Sequence, residues 1–134
     1  MLTGIDPLLT GDILKSLDEM GHSDTVAIVD GNFPAERTNS KVIRIPGIGV
    51  IPVLKAVLSV LPLDEDHPPI LMDSAEESLP PAEKDILQTL GEAPHVMVGR
   101  WDYYPLVSQA SVVIATGETR TWANVILSKG LVQP

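Results

Sequence analysis

The feature that most constrains this chain is a series of short, mostly apolar runs, several of which stop at a polar residue or a glycine. Thr25 to Val29 ends at Asp30-Gly31, Val42 to Ile45 ends at Pro46-Gly47, and Ile70 to Met72 ends at Asp73. Val96 to Val98, Val112 to Ala115 and Asn124 to Leu127 follow the same plan. A strand with one wet face alternates apolar and polar residues, whereas a strand covered on both faces reads as a continuous apolar run. Such runs therefore demand helices on both sides of a sheet, and amphipathic segments lie between them.

The first helix is expected after Thr10, with Ile13, Leu14, Leu17 and Met20 at helical spacing and Gly21 as a left-handed stop. A second is expected over 49–61, with Pro52 in its first turn, where a missing N–H costs little. A third is expected over 82–90, stopping at Gly91, and a fourth over 102–109. The fold predicted is a three-layer α/β/α sandwich around a mixed, mostly parallel sheet of about six strands. With 134 residues, 44% of them hydrophobic, the whole of 1–134 is read as one domain able to bury a real core.

Composition then removes classes of function. A net charge of −9 repels phosphates and anionic lipid heads, so neither nucleic acid nor a membrane surface is expected as partner. The absence of cysteine excludes disulfides, thiolate nucleophiles and cysteine-based zinc sites. Met1 to Thr10 carries no basic, apolar leader pattern, and the longest apolar run, Val50 to Leu61, is too short to span a bilayer and contains Pro52 and Lys55.

In open α/β sheets ligands lie beyond the carboxyl ends of the strands, which singles out Asp30, Asp73, Arg100 and the segment Thr116 to Asn124. The scarce aromatic residues cluster at Trp101, Tyr103 and Tyr104, which suits a binding surface, a core or an interface equally. Arg100 beside Trp101 can grip a hydroxyl-rich or anionic ligand in a fixed plane, or form a surface ion pair. Gly47-x-Gly49 lacks the third glycine of a dinucleotide fingerprint and reads as turn chemistry, so no cofactor is expected. His67, in the acidic, proline-rich loop 64–69, and His95 at a strand edge are read as inert.

His22 follows the expected helix stop and precedes the first strand, with Asp24 and Asp30 on either side of that strand. The partial negative charge of a helix end and a nearby carboxylate favour an imidazolium that exchanges protons near neutrality, though a histidine capping helix carbonyls fits the same position. No second histidine stands at metal-ligand spacing, and no metal is expected.

These pieces resemble the ribose pyranase and L-fucose mutarotase family along the whole of Met1 to Pro134. The resemblance is carried by Glu19-Met20-Gly21-His22-Ser23-Asp24, by Val29-Asp30-Gly31-Asn32-Phe33-Pro34, by Val42-Ile43-Arg44, and by Thr116-Gly117-Glu118 leading to Ala123-Asn124. Phe33-Pro34 and Arg100 favour the fucose branch; Trp122 stands where both branches usually present a tyrosine, and an indole has a donor but no acceptor oxygen.

The resemblance implies an isomerase that interconverts anomers, or pyranose and furanose forms, of a free monosaccharide; with no cofactor motif, no cysteine and no leader pattern, a cofactor-independent enzyme of the cytoplasm is expected. The resemblance implies L-fucose first, with a D-ribose pyranase, a non-catalytic monosaccharide-binding module and a purely structural oligomer as alternatives. It also implies His22 as the proton-transfer group, with Asp30, Arg100 and the segment from Trp122 to Asn124 against the sugar. Asp30 would orient either His22 or a sugar hydroxyl, Arg100 and Asn124 would fix further hydroxyls, and Trp122 would cover the apolar face of the ring. Members of the family are commonly ring-shaped homo-oligomers, often decamers, whose sites a neighbouring subunit completes.

Overall fold

The computed structural model describes residues 1–134. In chain order the elements are α1 (Gly11–Glu19), β1 (Thr25–Val29), α2 (Ala35–Thr38), β2 (Val42–Ile45), α3 (Val50–Leu58) and β3 (Ile70–Asp73). They continue with α4 (Pro81–Thr89), β4 (Val96–Gly99), α5 (Arg100–Ser108), β5 (Val112–Thr116) and β6 (Val125–Ser128). The six strands form one sheet in the order β2-β5-β1-β6-β3-β4. Strands β2, β5 and β1 are parallel, as are β3 and β4; β6 is antiparallel to both β1 and β3, so it alone runs against the other five.

Two apolar layers account for the continuous runs. On one face Val26, Ile28, Val112, Ile114, Val125, Leu127 and Leu71 pack with residues of α1, α3 and α4. On the other Ala27, Val29, Val113, Ala115, Ile126 and Met72 pack with Phe33, Ala35 of α2 and Tyr103 and Val107 of α5. Alternate residues of each central strand thus enter different layers, as the pleat requires. The sandwich has three layers, as the strand pattern predicts.

Local details differ from the sequence reading for physical reasons. Helix α1 ends at Glu19, and Met20 is already extended. The left-handed residue of that turn is Ser23 at φ 70°, not Gly21. The turn is held instead by Asp24, whose Oδ2 accepts the Gly21 N–H at 2.7 Å, and by the Lys129 carbonyl, which accepts the Ser23 N–H at 2.8 Å. Helix α5 starts at Arg100, two residues earlier than the pattern suggests, so Arg100 opens a helix directly at the end of β4. Helix α2 has only four residues and follows Pro34, too short for periodicity to reveal.

Gly47-x-Gly49 leads into α3 as turn chemistry. The Val50 N–H at the head of α3 donates to Glu118 Oε2 at 3.2 Å, so the helix turns a donor toward the chain's own carboxylate. Gly117 is required by packing: a Cβ at that position would collide with the Pro46 carbonyl. No helix is long and apolar enough to cross a membrane.

Candidate functional site

Strand direction decides what the sheet can bring together. Because β1 to β5 share one direction, the residues following β1, β3, β4 and β5 emerge at one end of the sheet. Because β6 is reversed, the residues preceding it emerge at that end as well. The register pairs Ile28 with Val125, which carries Asn124 to the end of β1. There the Asp30 backbone N–H donates to Asn124 Oδ1 at 3.0 Å.

A cavity of about 260 Å³ opens at this end, and Asp30, Arg100, Trp122 and Asn124 all line it. The remaining walls are Asn32, Phe33, Pro34, Met72, Tyr104 and Thr121. Asp30 is 6% exposed and Asn124 3%. Asp30 Oδ1 accepts the Asn32 N–H at 3.0 Å, a short turn that aims the carboxylate. Burial pushes the Asp30 carboxyl above its ordinary value; backbone donors from Asn32, Ala123 and Phe33 and the Asn124 amide pull the other way.

Arg100 is held by aromatic rings. Its Nε donates to the Tyr104 hydroxyl at 2.7 Å, and its guanidinium lies 4.6 Å from the Trp101 ring centre and 5.7 Å from that of Tyr104. Phe33 meets Tyr104 edge-on at 5.4 Å, continuing the aromatic wall. A planar cation stacked on rings keeps its remaining N–H donors in a fixed plane. Trp122 adopts φ 63°, in the left-handed region that a bulky residue rarely occupies. Such a conformation costs roughly 1–3 kcal/mol and persists only where the surroundings enforce it.

Here the surroundings are a braced loop. Thr116 Oγ1 donates to the Val29 carbonyl at 2.8 Å, and the Glu118 carbonyl accepts the Gly31 N–H at 2.8 Å. Arg120 joins Glu118 at 3.0 Å and Asp85 at 2.6 Å. The segment Thr116 to Asn124 is thus tied to β1, α3 and α4, and it presents Thr121, Trp122 and Asn124 to the cavity on a fixed frame.

His22 is not brought to this cavity within one chain. It precedes β1, whereas Asp30 follows it, and five residues of strand separate the two ends by about 17 Å. His22 lines a second cavity, of about 310 Å³, with Asp64 and the C-terminal residues Gly130, Leu131 and Gln133. Its nearest carboxylate is Asp64, whose Oδ2 lies 3.5 Å from His22 Nε2; Asp24 is committed to the Gly21 N–H. Asp73, at the end of β3, is exposed and turned away, and its neighbour Met72 enters the cavity instead.

Sequence reasoning missed Met72 and Asn32 as walls, although the carboxyl-end rule covers each within a residue or two; Thr121 lies in the segment Thr116 to Asn124 that the rule singles out. It also passed over the loop 64–69, where it read His67 as inert. Asp64 is in fact 6% exposed and accepts from His67 Nδ1 at 2.8 Å, so His67 is fastened rather than loose. A buried aspartate in an acidic, proline-rich loop leaves no signal in composition.

A sequence profile of the RbsD / FucU transport protein family matches residues 3–132. The chain belongs to that family. An L-fucose mutarotase of Histophilus somni is 37% identical over 140 residues, covering 98% of this chain and 97% of that one. The crystal structure of the fucose mutarotase of Streptococcus pneumoniae in complex with L-fucose superposes with a TM-score of 0.91 at 31% identity, covering 98% and 100% of the two chains. FucU of Bifidobacterium longum superposes with a TM-score of 0.90 at 36% identity, with the same coverage. The six-stranded mixed sheet and its two helical layers are therefore the RbsD / FucU fold, and the cavity lies at the carboxyl ends of its strands.

Proposed function

We propose that this chain is a mutarotase that interconverts the anomers of a free monosaccharide, with L-fucose as the first substrate. The observation that carries the reading is the meeting of Asp30, Asn124, Arg100 and Trp122 in one cavity. A carboxylate, an amide and a guanidinium serve the hydroxyls of a sugar, and an indole covers its C–H face. The likeness to an L-fucose mutarotase over nearly the full length of both chains supports the same reading.

Opening a hemiacetal takes the proton from the anomeric hydroxyl and returns one to the ring oxygen, and closing reverses both. Only proton transfer and orientation are needed, and a positioned acid or base contributes about 10²- to 10⁴-fold. In this reading Asp30 receives or orients the anomeric hydroxyl, Arg100 and Asn124 hold further hydroxyls, and His22 exchanges the second proton. His22 lies at the opposite end of β1, so it serves the cavity of a neighbouring copy in a homo-oligomer, with a decamer as the expected assembly. A cytoplasmic location belongs to the same reading.

A non-catalytic monosaccharide-binding module is the second reading. It is favoured by Trp122, which offers no acceptor oxygen, and by the distance of His22 from Asp30 within one chain. Saturation-transfer NMR over L-fucose, D-ribose, D-galactose and D-glucose decides between them. The mutarotase reading expects accelerated anomer exchange, greatest for L-fucose; binding by calorimetry without any acceleration establishes the module instead.

A further inference from the structure

Away from the sugar cavity, a group of titratable side chains lies where α1 gives way to β1 and the end of β6 passes beneath. Its centre is Asp64, a carboxylate with 3% of its side chain exposed. Ser23 Oγ donates to Asp64 Oδ2 at 2.8 Å, His67 Nδ1 meets the same oxygen at 2.8 Å, and the Asp66 N–H donates to Oδ1 at 3.0 Å. His22 Nε2 stands 3.5 Å from that Oδ2, within ion-pair range but longer than a hydrogen bond.

The backbone around this group is pinned. The Asp64 N–H donates to the Ser128 carbonyl at 3.0 Å, the Gly130 N–H to the Pro62 carbonyl at 2.7 Å, and the Ser23 N–H to the Lys129 carbonyl at 2.8 Å. Ser23 holds φ 70°, a left-handed turn directly after His22. The other charged groups nearby are either committed or directed to solvent. Lys129 Nζ donates to the Met20 carbonyl at 2.7 Å, Asp24 holds the Gly21 N–H, and Glu65 and Asp66 are exposed. Donation from Ser23, then from the Asp66 backbone and His67, pushes the Asp64 carboxyl down to about 2, so it carries its charge throughout the neutral range.

An exposed ion pair of this length contributes little to stability. A fixed, buried carboxylate beside an imidazole does something different, because it selects which ring nitrogen carries the proton. We propose that Asp64 is a positioning residue for His22: it takes the Nε2–H of the ring and leaves Nδ1 as the nitrogen that exchanges a proton with the sugar. His67 competes for the same oxygen and sets how closely His22 is held. The 3.5 Å gap is the open form, and it shortens when a ligand engages Nδ1, as such contacts commonly do on substrate binding. The inference rests on the reading of His22 as the proton-transfer group, yet it makes a claim about the ring that stands without any activity.

The test is a long-range ¹H–¹⁵N correlation spectrum of the full chain, with the His22 signals identified by their loss in His22→Ala. Neutral His22 in the unaltered protein is expected as the Nε2–H tautomer. An Nδ1–H tautomer overturns the proposal without any further variant. Asp64→Asn is expected to abolish that preference and to lower kcat for anomer exchange roughly tenfold or more, with KM little changed, since part of the acid–base contribution is lost and binding is not. An unchanged tautomer in Asp64→Asn overturns the proposal even if activity falls, because the aspartate then acts only on the fold. His67→Ala is expected to strengthen the Nε2–H preference; a weakened one overturns the shared-oxygen arrangement. If His22→Ala keeps full anomer exchange while the tautomer follows Asp64, the reading of His22 as the proton-transfer group fails and the positioning of its ring by Asp64 stands.

Discussion

Asn124 accepts the backbone N–H of Asp30 at 3.0 Å, which ties the start of the one reversed strand to the end of its neighbour and sets the floor of the cavity. Both residues are almost fully buried. Asn124→Ala leaves the Asp30 N–H without its acceptor, at a cost of about 1–3 kcal/mol. A lower denaturant midpoint is expected together with a raised KM for the sugar, read by chemical unfolding and by anomer-exchange kinetics.

Glu83 on α4 is wholly buried, and neither of its carboxylate oxygens has a hydrogen-bond partner. Burial, then the charges of Asp73 and Glu76, push its carboxyl up to about 7. Below the ordinary carboxylate range the group is neutral in both folded and unfolded chains, and its full contribution to stability is present. As pH rises through that range the unfolded chain gives up the proton first, and stability falls until the folded carboxyl also ionises near pH 7. The loss is on the order of 3 kcal/mol. Unfolding measured from pH 4 to pH 8 is expected to show this decline in the natural chain and to lack it in Glu83→Gln, which is the more stable of the two at pH 8.

Trp122 combines two roles that substitution separates. Its ring lines the cavity and its backbone sits at φ 63°. Trp122→Gly and Trp122→Ala both remove the ring, so an equal loss of sugar affinity is expected by calorimetry. Only glycine accepts the left-handed backbone freely, so Trp122→Gly is expected to be more stable than Trp122→Ala by about 1 kcal/mol in thermal unfolding.

Much of this arrangement is legible in the sequence. Thr25–Val29 and Val42–Ile45 fall where the apolar runs place them, and the end of each run marks the end of the sheet where the cavity opens. Asp30, Arg100, Trp122 and Asn124 are legible as neighbours because they follow or precede strands at that same end. The contents of the turns are not legible. Gly21 has the composition of a helix stop, but Ser23 takes the left-handed turn because Asp24 and Lys129 fix the chain on either side of it. Asp64 is hidden for the same reason: its burial comes from Ser23, forty-one positions earlier, and from the end of β6. Neither contact has a local signature.

The placement of His22 and Asp30 at opposite ends of β1 has a consequence for assemblies. If His22 of one copy serves the cavity of another, His22→Ala and Asp30→Asn damage different halves of one composite site. Co-expressed and purified as mixed oligomers, the two inactive variants are expected to recover about a quarter of the natural activity, since random pairing restores both halves in that share of sites. Each variant expressed alone stays inactive.

The central claim is that a proton-transfer site made of Asp30 and His22 speeds the opening and closing of a sugar ring. Saturation-transfer NMR of L-fucose measures it most directly, with the exchange rate between anomers compared for the natural chain, Asp30→Asn and His22→Ala at equal concentration near neutral pH. The account predicts clear acceleration by the natural chain and a fall of about 10²-fold or more in each variant. Exchange in the presence of the natural chain no faster than in buffer, or undiminished in His22→Ala, would contradict it.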